Sequence, residues 1–192
     1  VEITSTHARL FTGTTALHTV TAFHADGTTR PGASVRWTSG ETAVATVDRH
    51  GYVTGVSVGS VTISASVEGV SEDVAYAVAA FPAASLEIVG GLEEVRTGDV
   101  QDFELRAAGP DGEIVSDIPV TWTLAFRPAE GIVAPSAPGQ LEEGRMVADV
   151  PGTYTVMASA GGLSATRRFT VTQRDVVQRV NVVGQGRQTT HY

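Results

Sequence analysis

The sequence predicts an all-β protein. Valine, threonine, alanine, serine and glycine dominate its 192 residues, of which 42% are hydrophobic but only 6% aromatic. Such residues favour half-buried strands joined by tight turns. No long window shows the apolar spacing of a helix. Turn signals recur roughly every 8–12 residues, which is typical of a sandwich of two antiparallel sheets.

The first eighty residues divide into strands between these turns. Asp26-Gly27 and Glu68-Gly69 are dipeptides that favour tight turns, and His50-Gly51 separates two short runs of a hairpin. The alternation of apolar and polar residues then predicts strands over residues 1–5, 15–24, 35–38, 45–48, 52–56, 60–67 and 73–79.

The chain repeats itself. An offset of 85 positions relates Thr12-Gly13 to Thr97-Gly98, Asp26-Gly27 to Asp111-Gly112, and Val35-x-Trp37 to Val120-x-Trp122. An offset of 93 relates Gly59 to Gly152, Gly69 to Gly162, and Val78 to Val171. Repetition at a fixed period indicates an array of similar units. We therefore expect one copy over residues 1–80, a linker over 81–84 and a second copy over 85–172, with a net insertion of eight residues (93 − 85) between Trp122 and Gly152.

The linker and the second copy have features of their own. Pro82 makes the linker short and semi-rigid, and Phe81 is expected to pack into the junction between the copies. The stretch 127–144 is expected to replace the hairpin of the first copy by an irregular loop over a sandwich edge, because it contains Pro128, Pro135 and Pro138.

Residues 173–192 extend beyond the repeat. Val176, Val180 and Val182 alternate along this segment and predict an extra strand without a partner in either copy. Three interpretations stay open: the start of a further domain or a linker, a strand added to the sheet edge of a neighbouring molecule, and disorder. Strand addition from head to tail would build a filament.

Within the first copy, one pattern is specific enough to suggest a family. It consists of Val35, Trp37 and Ser39, then Val44, Ala45, Val47, Asp48, Gly51, Val53, Thr54 and Gly55, then Gly59, Ile63 and Ala65. This pattern resembles the group 2 bacterial immunoglobulin-like domain, the BIG2 or invasin/intimin-like module. The resemblance covers the first copy fully and the second in part. It implies two tandem immunoglobulin-like β-sandwiches with core residues Trp37, Val47, Ile63, Phe103, Trp122 and Tyr154.

Charge and composition exclude several classes of partner. The formal net charge is −8 and the chain has no lysine, which argues against nucleic acid and anionic membranes. Without cysteine it can form neither disulfides nor thiolate metal sites, and no run of apolar residues is long enough to span a membrane. Because the chain opens on Val1 in an expected strand, we expect it to be a processed or excised part of a longer protein.

No arrangement of residues predicts an enzyme, a cofactor or a metal site. His18 aligns with Phe103 and is expected to be a hydrogen-bonded core histidine rather than a metal ligand, and His24 lies about 20 Å further along the strand. Neighbouring carboxylates on a strand point to opposite faces. Glu41, Asp48 and Asp73 are weak evidence for calcium, because the dense acidic motifs of calcium sites are absent.

The remaining candidates are surfaces for other molecules. Leu17 and Phe23 are expected to face outward and, with Val176, Val180 and Val182, to bind partners. The resemblance implies a non-enzymatic module of a bacterial cell-surface or secreted protein: a stalk, an adhesin or a filament subunit whose partners are other protein domains or copies of itself. The alternative is an accessory carbohydrate-binding module of a larger secreted enzyme, which would need exposed aromatic side chains; the candidates are Tyr52, Phe126, Tyr154 and Tyr192.

Overall fold

The computed structural model describes residues 1–174, and within them it contains strands and turns but no helix. The all-β prediction is confirmed. The strands pair within two groups, residues 1–79 and residues 85–172, and each group forms two sheets. The predictions on Val176, Val180, Val182 and Tyr192 lie outside the described residues.

The first sandwich contains eight strands. In chain order they are β1 (Glu2–Ser5), β2 (Leu10–Phe11), β3 (Thr15–Thr21), β4 (Arg36–Ser39), β5 (Ala45–Val47), β6 (Tyr52–Gly55), β7 (Gly59–Val67) and β8 (Val70–Ala79). One sheet has the order β1-β3-β6-β5 and the other β2-β8-β7-β4. The pairs are antiparallel except for β2 and β8, which are parallel.

The alternation along β7 shows why this sequence forms the fold. Val61, Ile63, Ala65 and Val67 are buried between the sheets, whereas Ser60, Thr62, Ser64 and Ser66 face outward. Side chains of a strand alternate between its two faces, so this pattern buries one face and leaves the other in water. The core also contains Leu10, Ala16, Ala45, Val53 and Val78.

The second sandwich repeats this plan with nine strands. They are β9 (Ser85–Gly90), β10 (Val95–Arg96), β11 (Val100–Ala108), β12 (Ile114–Val115), β13 (Thr121–Pro128), β14 (Gly139–Glu142), β15 (Arg145–Ala148), β16 (Gly152–Ala160) and β17 (Leu163–Thr172). One sheet has the order β12-β11-β15-β14, with β9 also paired to β11, and the other β10-β17-β16-β13. Its core includes Ile88, Val95, Phe103, Met146, Tyr154 and Val156.

In each sandwich a glycine lies between a neighbouring strand, β3 or β11, and the ring of a tryptophan. Gly51 (φ 89°) and Gly144 (φ 85°) have their carbonyls 2.9 Å from the amide nitrogens of His18 and Phe103, which donate to them. A Cβ at either glycine would lie 2.3 Å from a strand carbonyl oxygen and about 3 Å from the ring of Trp37 or Trp122. Gly51 and Gly144 are therefore equivalent and differ by 93 positions, so the eight-residue insertion lies before Gly144.

The irregular loop expected over residues 127–144 is shorter than predicted, and the expectation that it replaces the hairpin of the first copy is wrong. Strand β13 continues to Pro128, the loop covers only residues 129–138, and β14 pairs with β15 in a hairpin. No proline falls between residues 139 and 148, and Glu143 (φ 47°) with Gly144 makes the turn. The hairpin of the first copy is therefore retained, and the prolines bound it rather than break it.

Two further differences concern short strands. The sequence predicts neither β2 nor β10, because a two-residue strand carries no periodicity. Strand β3 ends at Thr21 rather than at His24, and Phe23 forms only an isolated bridge with Thr29 across the Asp26-Gly27 turn.

We predict that Gly51→Ala destabilises the first sandwich far more than Gly69→Ala does. Both glycines have a left-handed φ, 89° and 88°, but a Cβ at Gly69 meets nothing within 4 Å. Gly69→Ala should therefore cost only the conformational strain, roughly 1–2 kcal/mol. Gly51→Ala should lower the free energy of unfolding by about 1–3 kcal/mol more, because the backbone oxygen of His18 must move.

Urea unfolding followed by the fluorescence of Trp37, in a Trp122→Phe background, measures both changes. Equal losses in the two variants would contradict the close packing of Gly51 against β3 and the ring of Trp37.

Candidate interaction surfaces

His18 is a buried core residue whose polar atoms are both satisfied. Its Nε2 lies 2.6 Å from the hydroxyl of Tyr76, and its Nδ1 lies 3.2 Å from the carbonyl oxygen of Ala16. Its ring packs edge-on against Trp37 and Tyr76. Burial lowers the pKa of His18 below its ordinary value of 6.5, against the opposing effect of backbone hydrogen bonds at Ala16 and Gly51. These contacts make it a structural residue.

The carboxylates singled out in the sequence lie at the surface. Asp48 accepts hydrogen bonds from the amides of Tyr52 (3.0 Å) and His50 (2.8 Å), and these bonds lower the pKa of the Asp48 carboxyl. Asp48 thus closes the β5–β6 turn. Within residues 1–174, no group of three or more histidines, aspartates and glutamates is arranged to hold a metal ion.

The predicted core residues fall into two groups. Ile63, Phe103 and Tyr154 are buried, while Trp37, Val47 and Trp122 are half-buried and pack against the two cores.

The structure does not bring the two predicted partner residues of the first sandwich together. Leu17 is half-buried and lies opposite Tyr52 across β3 and β6. Phe23 is 42% exposed and lies beyond the other end of β3. The two residues are six positions apart, about 20 Å at the rise of a strand, and Thr19 and Thr21 are the outward residues between them.

Of the aromatic residues proposed for sugar stacking, only Tyr52 is exposed in the described part of the chain, at 47%. Tyr154 is fully buried, with its hydroxyl 2.7 Å from the carbonyl oxygen of Pro138 and 2.8 Å from that of Val150. Burial raises the pKa of Tyr154. Phe126 is half-buried, and its ring centre lies 4.7 Å from that of Tyr154. The prediction that Tyr154 could contact a sugar is therefore wrong.

An apolar cluster joins the two sandwiches. Phe11 is only 7% exposed, and it forms one buried apolar cluster with Ala107, Ile118 and Ala160 of the second sandwich. Phe81 packs edge-on against Phe11 with ring centres 6.4 Å apart, so the prediction that Phe81 packs into the junction is confirmed. Sequence reasoning missed Phe11, although its replacement by Arg96 in the second copy was a usable signal.

Backbone contacts fix the same junction. The amide of Gly161 donates to the carbonyl of Gly13 at 3.0 Å, and the amide of Phe81 donates to Oγ1 of Thr12 at 3.2 Å. A Cβ at Gly161 would lie 2.0 Å from the ring of Phe81. At the periphery, His7 Nδ1 lies 3.7 Å from Asp117 Oδ1. The ring of Phe81 therefore rests on a residue that must be glycine.

The second sandwich also presents an eight-residue sheet edge. Strand β13 pairs with β16 along its whole length, whereas β4 of the first sandwich pairs over only four residues. Within the described residues no strand pairs with the other side of β13. Exposed Arg127 and the following Pro128 end this edge, features that discourage pairing with another chain.

The fold and the junction define a protein of two immunoglobulin-like β-sandwiches. Residues 1–78 match the family model of the bacterial Ig-like domain (group 2), which confirms the resemblance over the first sandwich. Across residues 1–174 the structure offers no helix long and apolar enough to cross a membrane.

Two curated proteins are similar to the chain. Ice-binding protein 1 of Shewanella frigidimarina is 27% identical over 174 residues, which are 90% of this chain and 19% of that protein. The A type blood N-acetyl-alpha-D-galactosamine deacetylase of Flavonifractor plautii is 31% identical over 121 residues, 55% of this chain and 16% of that protein. The chain thus spans less than a fifth of each relative.

Among solved structures, domains 5–6 of the S-layer protein SbsC are 22% identical, with 91% of this chain and 97% of that chain covered and a TM-score of 0.42. The Yersinia pseudotuberculosis adhesin InvE is 18% identical, with 88% and 58% covered and a TM-score of 0.38. At such values the likeness says nothing about function.

We predict that His18→Phe removes a pH dependence of stability. The pKa of His18 is lower in the folded than in the unfolded chain, so below about pH 6.5 the unfolded state takes up a proton that the folded state excludes. The wild-type stability should be complete above pH 6.5 and fall below it, by at most about 1.4 kcal/mol per pH unit. Phenylalanine occupies the equivalent position, 103, in the second sandwich.

Urea unfolding between about pH 7.5 and 5, followed by Trp37 fluorescence in the Trp122→Phe background, checks this expectation. His24→Gln, at an exposed position, is the control and should keep the wild-type slope. A His18→Phe variant with the unchanged slope would refute it.

Proposed function

We propose that the chain is a non-enzymatic structural module of a bacterial cell-surface or secreted protein, in which the two sandwiches act as one stiff spacer. The observation that carries this proposal is the apolar junction of Phe11 and Phe81. Domains joined in one chain usually move relative to each other unless a large hydrophobic interface holds them. Here the interface is apolar at its centre and hydrogen-bonded at the backbone.

The linker itself leaves little freedom. Its first half is held to the first sandwich by the bond from Phe81 to Thr12, and Ala84 donates to the carbonyl of Ala108 at 2.7 Å. Between these two bonds lie only Pro82, whose φ is fixed by its ring, and Ala83, which packs against the junction cluster. Bending at the linker would therefore expose the rings of Phe11 and Phe81 to water.

The comparisons support a module without its own chemistry. The names of the two relatives denote different activities, ice binding and deacetylation, and each protein is matched over less than a fifth of its length. A segment shared by proteins of such different activity is best understood as a part that positions other domains. The group 2 match supports an extracellular or cell-surface location.

Residues 173–192 fit this proposal as a connection to a further domain. The amide of Arg174 donates to Oγ1 of Thr97 at 3.1 Å, as the amide of Phe81 does to Thr12. The chain thus leaves the second sandwich along the same path by which it leaves the first. We therefore favour a linker or domain start for Val176, Val180 and Val182 over strand addition to an edge such as β13.

Light scattering over a concentration series tests this choice. The intact chain and a chain ending at Arg174 should both be monomers. Assembly of the intact chain that disappears with the tail would establish strand donation and a filament instead.

We predict that Phe81→Ala loosens the joint while leaving both sandwiches folded. Because the protein has no cysteine, spin labels at Thr62→Cys and Thr166→Cys, exposed positions of β7 and β17, report one distance between the sandwiches. The wild type should give a single narrow distribution by pulsed electron paramagnetic resonance. Phe81→Ala should make it at least about twofold wider, because the apolar contact that resists domain motion is lost.

Phe23→Ala is the matched control, since it removes an exposed phenylalanine remote from the junction and should leave the distribution narrow. A broad distribution in the wild type would rule out the stiff spacer.

A further inference from the structure

The first sandwich has its own version of the surface on which the junction is built. We call residues 20–35 with 67–69 the upper end of the first sandwich, and residues 105–120 with 160–162 the upper end of the second. A hollow of about 180 Å³ at the first upper end is lined by Val20, Ala22, Ala33 and Val35, among others. Each lies 85 positions before a member of the junction cluster: Leu105, Ala107, Ile118 and Val120.

Two substitutions distinguish this upper end from the one that forms the junction. Glu68 stands where the second sandwich has Gly161, an offset of 93, and Arg30 stands where it has Val115, an offset of 85. The guanidinium of Arg30 donates to both carboxylate oxygens of Glu68, at 2.5 Å each. This pair, the Arg30–Glu68 clasp, links the loop after β3 to the β7–β8 turn, and Arg30 lowers the pKa of the Glu68 carboxyl.

The clasp occupies the place that an aromatic ring takes in the junction. At Gly161 even a Cβ atom would lie 2.0 Å from the ring of Phe81, and Glu68 carries a Cβ and a longer side chain. Glu68 adopts a φ of 49°, close to the 60° of Gly161, so the two turns have similar backbones. The difference between the ends therefore lies in the side chains.

Stabilisation of the first sandwich does not require the clasp. Exposed ion pairs contribute little to stability, and the side chains of Arg30 and Glu68 are 38% and 65% exposed. The loop that carries Arg30 is already held by a backbone hydrogen bond: the amide of Arg30 donates to the carbonyl of Ala22 at 2.8 Å.

We propose that the Arg30–Glu68 clasp closes the upper end of the first sandwich to stacking by another sandwich of the same kind. A sandwich attached at this end is then joined flexibly, in contrast to the stiff internal joint. The proposal rests on the stiff spacer proposed above. The opposite end of the second sandwich supports the same proposal. There Arg96 and Arg174 replace Phe11 and Phe81, and the guanidinium of Arg174 donates a hydrogen bond to the carboxylate of Asp99.

Transplanting the clasp into the internal junction tests the proposal. The double variant Val115→Arg with Gly161→Glu, in the full chain carrying labels at Thr62→Cys and Thr166→Cys, reproduces the first upper end where Phe81 now rests. We expect the distance distribution to become at least about twofold wider than in the wild type, as in Phe81→Ala. Trp122 fluorescence, measured in a Trp37→Phe background, verifies that the second sandwich remains folded.

Gly162→Asn is the matched control. Gly162 lies in the same turn with a φ of 83°, which asparagine tolerates, and a Cβ there meets nothing within 4 Å. Its distribution should stay narrow. If the double variant does not fold, Gly161→Ala tests the steric part of the proposal alone: its single Cβ collides with the ring of Phe81, and a narrow distribution in this variant would contradict the exclusion of the ring by a side chain at this position.

The outcomes separate the two proposals. A broad distribution in the wild type defeats the stiff spacer and with it the closing role of the clasp. A narrow distribution in the wild type and an equally narrow one in the folded clasp variant defeats only the clasp. A narrow wild type with a broad clasp variant and a narrow Gly162→Asn variant supports both.

Discussion

The contact between the ring of Phe81 and the backbone of Gly161 determines how the two sandwiches are arranged. Each sandwich has its own core and needs no contact with the other to bury it. Their relative position depends on a few atoms: the ring on the glycine, Phe11 beside it, and the bond from Gly161 to Gly13. Close-packed contacts of this type tolerate no added methyl group, so the joint is specific as well as apolar.

The sequence predicts the core of each sandwich well because burial and periodicity act there together. Val61, Ile63, Ala65 and Val67 alternate with polar residues, and only one register buries them all. His18 is the instructive exception, a polar residue on the inward side of β3. Its alignment with Phe103 indicated a core position, but its partner Tyr76 lies 58 residues away, and sequence spacing cannot reveal such a contact.

Elsewhere the sequence was less informative, for physical reasons. The density of prolines before β14 suggested a broken hairpin, yet a proline weakens a strand only where its missing amide was needed, and Pro128 and Pro138 lie at strand ends. Phe11 escaped notice because a two-residue strand has no pattern of its own. Its burial comes from the second sandwich, whose approach is set by the linker, and no local signal encodes that.

The internal repeat allows equivalent positions of the two sandwiches to be compared. Equivalent backbone bonds, such as those from Thr12 to Ala79 and from Thr97 to Thr172, show that the two copies offer the same frame for a neighbour. Within that frame the residues at the ends have diverged, from phenylalanine to arginine at one end and between glycine and glutamate at the other. Because the frame is constant, stiffness or flexibility at a joint reduces to the side chains at a few positions. In the arrangement that we propose, an array of such sandwiches alternates rigid pairs with flexible joints without any change of fold, as a module that holds other domains apart would require.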